Sequence, residues 1–260
     1  MRKIIPVIGL PLASVDYQTA FEAILELKDS NQPSAVAAAN THIAVCYRTQ
    51  TDFAKVMDHF DLIVPDGMPL IWSMNAKGAH LTDRVYGPYL MRYVIERTPA
   101  PYRHFLFGGT PDCLVKLEQE LRDLQPNIEI AGTISPPFRS LLEEDEADFS
   151  NIINASRPDF VWVALGGEKQ EKWIIQNQYR YTRGVFFAIG DAFELLAKQR
   201  PFAPRWIQKL GLTWLSRLIS DPKRLARRYV KCNTLFIYYT FKDWFSETIS
   251  SLSGRKSTDK

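Results

Sequence analysis

Short apolar runs alternate with amphipathic stretches along most of this chain, and the alternation constrains its fold more than any other feature. Runs that are apolar throughout are typical of parallel strands that are buried on both faces. Amphipathic stretches with the helical period are typical of helices that cover such a sheet. The predicted strands are residues 4–10, 35–39, 62–64, 104–107, 160–165 and 185–189, and the predicted helices are residues 17–28, 43–59, 88–97, 111–124, 169–179 and 193–198. This rhythm predicts an α/β fold with a Rossmann-like, mostly parallel sheet.

The balance of charge changes sign near Lys198. Residues 1–197 carry 18 Lys and Arg against 25 Asp and Glu, a net charge of −7, whereas residues 198–260 carry 14 against 4, a net charge of +10. A basic segment of this kind attracts polyanions, whether nucleic acid, anionic lipid or a phosphorylated substrate. The sequence therefore predicts a Rossmann-like domain over residues 1–197, a basic helical appendage over residues 198–252 and a disordered tail over residues 253–260.

Basic and aromatic residues are interleaved in the predicted appendage, which is typical of amphipathic helices at a membrane surface. Arg217, Arg224 and Arg227 are spaced i, i+7 and i+10. They share one helical face if the helix continues through Pro222. The alternative is that the apolar side chains dock on the body and the arginines are only solvated. We favour the membrane interface, because the two residue types are not segregated into a core stripe.

Several protein classes do not fit the chain. Its three cysteines are far apart, which predicts neither a disulfide framework nor a zinc site and fits a reducing cytoplasm. Prolines at 6 and 11 interrupt the first apolar segment, no cleavage site follows it, and no run approaches the ~18 apolar residues of a spanning helix, so neither a signal peptide nor a transmembrane segment is expected. The chain also lacks the phosphate-binding motifs of P-loop enzymes and of nicotinamide dehydrogenases.

Small and polar residues follow four of the predicted strands at their carboxyl ends. An α/β sheet builds its binding crevice at this edge. The four segments are Ala39-Asn40-Thr41-His42, Val64-Pro65-Asp66-Gly67, Phe107-Gly108-Gly109-Thr110-Pro111 and Leu165-Gly166-Gly167-Glu168-Lys169-Gln170-Glu171. Their agreement predicts one binding crevice.

Asp66 is the candidate general base of that crevice. It follows an apolar strand and precedes Gly67, which predicts a partly buried carboxylate on a tight turn. Burial raises the pKa of a carboxylate and makes it a better proton acceptor near neutral pH. The alternative is that Asp66 caps a helix that begins near Met68. Asn40 and Thr41 offer an amide and a hydroxyl to a sugar or a phosphate, or equally to a helix end.

The two glycine pairs lie at strand-to-helix junctions, where unhindered backbone N–H groups can receive a diphosphate. No D-x-D follows a strand, and the four histidines show no ligand spacing, so neither a metal nor another cofactor is predicted. Cationic side chains must then neutralise a departing diphosphate, and the candidates are Arg84, Lys169 and the arginines of the appendage.

Taken in order, these segments resemble the WecG/TagA/CpsF family of bacterial glycosyltransferases, over residues 8–235. The matching pieces are Asn40-Thr41, residues 61–67 with Asp66, residues 84–91 with Arg84, residues 105–109, Pro158-Asp159 with Leu165-Gly166, residues 169–173 with Gln170, residues 203–206, residues 210–212 and residues 222–224. The resemblance implies a catalytic domain over residues 1–197 and a membrane-associating appendage over residues 198–252.

The resemblance implies an inverting, metal-independent transfer from a UDP-sugar to the sugar of an undecaprenyl diphosphate intermediate. The enzyme would act in the cytoplasm, peripherally on the inner face of the cell membrane at an anionic lipid surface, with no nucleic acid as partner. By motif, Asp66 would be the base, with Asn40 and Thr41 beside the reacting sugar. The implied donor-binding residues are Arg84, Gly108, Gly109, Gly166, Lys169 and Gln170, and the implied appendage residues are Arg217, Arg224 and Arg227.

The donor sugar is less constrained than the reaction. The family often uses an N-acetylmannosamine type donor, but Asp191, Glu194 and Lys198 depart from the family pattern, so glucose and a uronic acid are equally plausible. Residues 135–139 resemble the exopolysaccharide branch. A non-catalytic scaffold that binds a nucleotide-sugar or anionic lipid is the alternative function, and a homo-oligomer stays open because no pattern specifies symmetry.

Overall fold

A six-stranded parallel sheet forms the centre of the protein in the computed structural model, which describes residues 2–220 and 222–255. Its strands are β3 (Ser34–Ala39), β4 (Leu62–Pro65), β5 (Arg103–Gly108), β6 (Glu129–Ile134), β7 (Phe160–Ala164) and β8 (Val185–Ala188). Their order across the sheet is β4-β3-β8-β7-β5-β6, and each pairing is parallel. The predicted α/β, Rossmann-like fold class is confirmed.

The first predicted strand, residues 4–10, is wrong in its second half. Residues Ile4–Val7 (β1) and Leu10–Ala13 (β2) form a separate antiparallel hairpin. The chain reverses at Ile8 and Gly9, where φ is 43° and 94°. An apolar run does not reveal such a turn, because Ile8 is buried like Val7 before it.

Helices cover both faces of the sheet and connect its strands. In the body they are α1 (Tyr17–Asp29), α2 (Thr41–Thr49), α3 (Thr51–Met57), α4 (Met68–Ala76), α5 (Gly87–Arg97), α6 (Pro111–Leu124), α7 (Glu143–Ser156), α8 (Gly167–Asn177) and α9 (Ala192–Leu196). The predicted helix over residues 43–59 is wrong as one element, because Gln50 leaves the helical conformation at φ −128° and ψ 101°.

Successive residues of the strands enter two separate hydrophobic clusters, one on each face. Ala35 and Ala37 of β3 face the cluster of α2, α3 and α8, whereas Val36 and Ala38 face that of α1, α5, α6 and α9. The strands are therefore buried on both sides, as the apolar runs predict. The edge strand β6 is not predicted from the sequence, because most of its residues are only half-buried and do not form an apolar run.

The basic segment forms α10 (Arg205–Lys209), α11 (Thr213–Ser220) and α12 (Pro222–Arg255). The rings of Trp214 on α11 and Tyr229 on α12 lie 5.9 Å apart, so the two helices fold against each other. Arg217 therefore does not share a helix with Arg224 and Arg227, and the predicted common face is wrong. Pro222 lacks the backbone N–H that would continue α11. Of the predicted disordered tail, residues 253–255 belong to α12, and residues 256–260 lie outside the described part of the chain.

One side of α12 docks on the body. Leu225, Cys232 and Phe236 are buried there, and Asp243 forms an ion pair with Arg48 of α2 at 2.9 Å. The docking alternative is therefore correct for this side of the helix. Among the described residues, no helix is both long enough and apolar enough to cross a bilayer.

Candidate active site

A cleft of about 1310 Å³ lies at the carboxyl ends of the parallel strands. The segments after β3, β4, β5, β7 and β8 form one wall, and side chains of α11 and α12 form the other. Pockets for small molecules commonly measure about 300–1,000 Å³. This cleft therefore has room for a nucleotide-sugar together with a second sugar. All four strand-end segments contribute residues to it.

Asp66 lies on the cleft wall directly after β4, with its side chain 12% exposed. The carboxylate accepts a hydrogen bond from the backbone N–H of Gly87 at the start of α5, and Oδ1 has no hydrogen-bond partner among the described residues. Burial raises the pKa of Asp66 to about 7, although the cation of Arg84 and the Gly87 N–H act in the opposite direction. Helix α4 begins after Gly67 without a side-chain cap. The alternative that Asp66 caps this helix is therefore wrong.

Arg84 is buried beside Asp66. Its Nη1 atom lies 3.9 Å from Oδ1 of Asp66 and donates to the Asp66 carbonyl oxygen at 3.3 Å. Its Nη2 atom donates to the hydroxyl of Thr213 on α11 at 3.2 Å. The guanidinium also lies over the ring of Tyr86, 4.2 Å from its centroid. Arg84 thus lines the cleft, as a donor-binding residue would, and at the same time joins the Asp66 turn to the appendage.

Asn40 and Thr41 lie on the cleft wall at the start of α2. The Oδ1 atom of Asn40 accepts hydrogen bonds from the N–H groups of His42 at 2.9 Å and Ile43 at 3.3 Å. Asn40 therefore caps α2 with its oxygen, and its amide nitrogen is the part that can donate to a ligand. The two roles that the sequence presents as alternatives are compatible at this residue.

The two glycine pairs differ in their roles. Gly108 has a φ of 122°, and a Cβ added there would lie 2.3 Å from the carbonyl oxygen of Ala164. Gly108 thus permits β5 to approach β7, and it is not among the residues that line the cleft. Gly109, Gly166 and Gly167 do line it. A Cβ added at Gly166 or Gly167 would meet nothing within 4 Å, so a ligand can come close to their backbone.

Gln170 and Lys169 lie in the first turn of α8, which opens on the cleft. Lys169 is exposed, whereas Gln170 is 3% exposed. The Oε1 atom of Gln170 accepts from the N–H of Gly190 at 3.2 Å, so the side chain fixes the turn after β8. Backbone N–H groups at a helix N-terminus and a nearby lysine together suit an anionic ligand.

Glu171 is a second buried carboxyl group at the cleft. Its Oε1 atom accepts from Nε2 of Gln170 at 3.1 Å, and its Oε2 atom has no partner among the described residues. Burial raises the pKa of Glu171 to about 8. Burial therefore favours the protonated form of both carboxyl groups, and more so at Glu171 than at Asp66.

Arg217 of α11 reaches across the cleft to the body. It lies 3.0 Å from Oδ2 of Asp191, which also pairs with Arg200. The Nε atom of Arg217 is buried without a hydrogen-bond partner among the described residues. The guanidinium therefore has a donor to offer to a ligand in addition to its ion pair.

The next arginines are arranged differently from the prediction. Arg227 is exposed on α12 and does not line the cleft, whereas Arg228 does. The Nε atom of Arg228 is buried and has no partner in the described part of the chain. The side chain of Arg224 lies outside the described residues. Each residue turns a helix by about 100°, so neighbouring arginines point to different sides of α12. In the docked helix, Arg228 is the one that faces the cleft.

No role is predicted from the sequence for Glu171 or Asp191, and Arg228 is included only among the arginines of the appendage. Asp191 follows β8, so the rule that located the other strand-end segments also finds it. Glu171 stands within one of those segments, but its burial depends on how α8 packs against the sheet. Arg228 has no signal in the local sequence.

The chain matches the model of the glycosyl transferase WecG/TagA/CpsF family over residues 5–249. Similar proteins occur in Bacillus and Staphylococcus, and each is named N-acetylglucosaminyldiphosphoundecaprenol N-acetyl-beta-D-mannosaminyltransferase. The Bacillus subtilis (strain 168) protein is 26% identical over 200 residues, or 76% of each chain. The Bacillus spizizenii protein is 27% identical over 213 residues, or 80% of each chain. The Staphylococcus aureus (strain MW2) protein is 24% identical over 204 residues, or 78% of each chain.

The match spans the sheet, the cleft and most of α12. It includes the Asp66 turn, the first turn of α8 and the arginines of the appendage. The predicted enzyme class is confirmed, because the similar proteins are glycosyltransferases. The chain therefore belongs to the WecG/TagA/CpsF family of glycosyltransferases.

Proposed function

We propose that this enzyme transfers a sugar from a UDP-sugar to the sugar of an undecaprenyl diphosphate intermediate, at the inner face of the cell membrane, in surface polysaccharide or exopolysaccharide synthesis. The names of the Bacillus and Staphylococcus relatives support an acceptor of this class. The same names support a donor of the N-acetylmannosamine type. UDP-glucose and UDP-glucuronate are the alternative donors.

The observation that carries the proposal is the state of Asp66. Its buried carboxylate has an unpartnered oxygen on the cleft wall and a pKa of about 7. In the proposed reaction, the acceptor hydroxyl oxygen attacks the anomeric carbon of the donor while Asp66 takes the hydroxyl proton. The bond from that carbon to the β-phosphate oxygen breaks, and UDP leaves with its electron pair. A single displacement of this kind inverts the anomeric configuration.

The charge of the departing diphosphate would be neutralised by the cations of the cleft. Arg217 and Arg228 line it from the appendage, and Lys169 lines it from the N-terminus of α8. Preorganised cations and backbone N–H groups stabilise developing negative charge. We therefore propose that the reacting centre requires no divalent metal. The ion pair between Arg217 and Asp191 would be exchanged in part for a contact with the diphosphate.

The outer side of α12 supports binding to a membrane surface. The large apolar residues exposed on the described part of this helix are Val230 (67%), Ile237 (56%), Tyr238 (55%), Phe241 (66%), Trp244 (62%) and Phe245 (62%). They recur at helical spacing, and Lys223 and Arg227 are exposed near the start of the same helix. Such a helix binds at the boundary between headgroups and acyl chains. Ile237 and Phe241 also line the cleft, which provides an apolar path for the prenyl chain of the acceptor.

The proposal is tested with purified protein, a panel of UDP-sugars and a short-chain prenyl diphosphate that carries N-acetylglucosamine, without added magnesium or manganese. We expect transfer from one donor and the release of UDP. Asp66→Asn should bind UDP like the wild type and lower turnover by about 10²–10⁴-fold, which is the usual contribution of a general base. The matched control is Asp52→Asn, because the Asp52 side chain is 99% exposed on α3.

Wild-type turnover by Asp66→Asn would remove Asp66 from the mechanism. Binding of UDP-sugars without transfer of any of them would instead support the non-catalytic scaffold.

A further inference from the structure

Four metal-ligating side chains from three helices converge beside the cleft. His42 and Cys46 come from α2, Glu168 from α8 and Cys232 from α12. Ligand atoms of His42, Cys46 and Glu168 all lie within 4.8 Å of one another. The sequence hides this group, because Cys232 is 190 positions from His42. Its only local signal is the i, i+4 spacing of His42 and Cys46, which places both on one side of α2.

The imidazole of His42 lies between the two sulfur atoms. Its Nδ1 atom is 3.3 Å from Sγ of Cys232 and 3.6 Å from Sγ of Cys46. The Oε1 atom of Glu168 is 3.2 Å from Sγ of Cys46 and 3.7 Å from Nε2 of His42. Zinc binds sulfur at about 2.3 Å and nitrogen at about 2.0–2.1 Å in a tetrahedron. Neighbouring ligand atoms of such a site lie roughly 3.5 Å apart. The distances from Nδ1 of His42 to the two sulfur atoms, and from Sγ of Cys46 to Glu168, are close to this value.

The surrounding charges suit a zinc ion with these ligands. A divalent cation with two thiolates and one carboxylate carries a net charge of −1. The Nζ atom of Lys172 is 3.3 Å from Oε2 of Glu168, and Arg228 lies one helical turn before Cys232 on α12. These cations stabilise an anionic metal complex.

We propose that His42, Cys46, Glu168 and Cys232 form a structural zinc site that fastens α12 to the body. Two thiolates with an imidazole favour zinc over magnesium or calcium, which prefer oxygen ligands. Four protein ligands leave no open position for substrate, as in structural rather than catalytic zinc sites.

The site explains how the appendage is held in place at the cleft. Cys232 lies one helical turn after Arg228, and His42 lies two residues after the Asn40 cap. A metal bond between α2 and α12 therefore fixes two opposite parts of the cleft wall relative to each other. This role is independent of the chemistry at Asp66.

The test uses the full-length protein, reduced with a phosphine and freed of metal, and titrated with zinc against a chromophoric chelator. We expect one bound zinc per chain. Cys46→Ser and Cys232→Ser should each weaken binding by about 100-fold, because each removes one of four ligands. Cys113→Ser is the matched control, since Cys113 is another buried cysteine on α6. It should bind zinc like the wild type.

Two further measurements distinguish the loss of a zinc ligand from a folding defect of the variants. Glu168→Gln retains the shape of a half-exposed side chain and should also weaken zinc binding. Cobalt should give the intense visible absorption of a tetrahedral thiolate site in the wild type and in Cys113→Ser, but not in Cys232→Ser. Wild-type protein that binds no zinc, or equal zinc affinity in the wild type and Cys232→Ser, would overturn the proposal.

Discussion

The Nη1 atom of Arg84 lies 3.9 Å from Oδ1 of Asp66, yet the pKa of Asp66 is raised to about 7. An arginine at this distance normally lowers the pKa of a carboxyl group. Burial of Asp66 on the cleft wall outweighs that attraction. Burial and the Arg84 cation together place the pKa of the candidate base near neutral pH, which is the favourable range for general base catalysis.

The pH dependence of transfer should follow this group. A general base must be ionised to accept a proton, so kcat/KM should rise with pH, with a midpoint near 7, and level off above it. Arg84→Gln removes the cation and should move the midpoint upward by about one unit or more. The measurement is kcat/KM on a short acceptor between pH 5 and 9.

Glu171 provides the control, since the pKa of this second buried carboxyl group is about 8. Glu171→Gln should keep the rise near pH 7. A rise that disappears in Glu171→Gln and remains in Asp66→Asn would assign the titration to Glu171.

The ionisation of Asp66 should also change the free energy of unfolding, in a direction that its raised pKa determines. Asp66 has a folded pKa of about 7, above the unfolded value of about 3.9. The folded state therefore binds more protons between pH 4 and 7, and the free energy of unfolding falls as pH rises through this window. The loss is about 4 kcal/mol in total. Asp66→Asn has no carboxyl group at this position and should not show this loss. The free energy of unfolding of the variant minus that of the wild type should therefore increase by up to about 4 kcal/mol from pH 4 to pH 8, as measured by urea unfolding. An unchanged difference at the two pH values would contradict the raised pKa.

Adjacent helices of the appendage offer a matched pair of arginines. Arg217 lines the cleft and pairs with Asp191, whereas Arg227 is exposed away from it. Arg217→Ala should lower turnover on a soluble short-chain acceptor by about 10²-fold, the usual effect of losing one group that stabilises the departing charge. Arg227→Ala should retain turnover on that acceptor and lose affinity for anionic vesicles. Equal turnover in the two variants would remove Arg217 from diphosphate binding.

The apolar side of α12 should carry much of the membrane affinity. Tyr238→Ser with Phe245→Ser removes two exposed aromatic rings that do not line the cleft. Burial of a large apolar side chain contributes about 1.5–3 kcal/mol, so binding to anionic vesicles should weaken by about 10²-fold or more. Val115→Ser on α6 changes an exposed apolar residue of the body and is the control. Vesicle sedimentation checks the result, and equal binding of all three proteins would exclude this side of α12.

Alanine substitutions at Gly108 and Gly166 should lower the free energy of unfolding by different amounts. An added Cβ at Gly108 would lie 2.3 Å from backbone of β7, whereas one at Gly166 would meet nothing within 4 Å. Gly108→Ala should therefore destabilise the fold by several kcal/mol, since backbone must move. Gly166→Ala should cost about 1–3 kcal/mol, because its φ of 77° and ψ of 146° lie in a region that residues other than glycine rarely adopt. Urea unfolding distinguishes them, and equal losses would show that β5 and β7 do not depend on Gly108.

The sequence predicts the parallel sheet well because buried strands are apolar on both faces, and each such run is a local signal. It also locates the Asp66 turn, since strand ends of a parallel sheet meet at one edge. It does not find β6, whose half-buried edge position leaves no apolar run. It points to Arg227 rather than Arg228, because the side of α12 that faces the cleft depends on how this helix docks on the body. Cys232 comes next to His42 only through the docking of α12, which no short-range pattern reports.

Arg84 contacts both the Asp66 turn and Thr213 of α11. The ionisation of Asp66 and the seating of α11 therefore share one cation, and the two equilibria are thermodynamically linked. By reciprocity, the free energy by which the seated appendage changes the proton affinity of Asp66 equals the free energy by which the ionisation of Asp66 changes the seating of α11. An acceptor that holds the appendage on the cleft would thus shift the pH dependence of transfer.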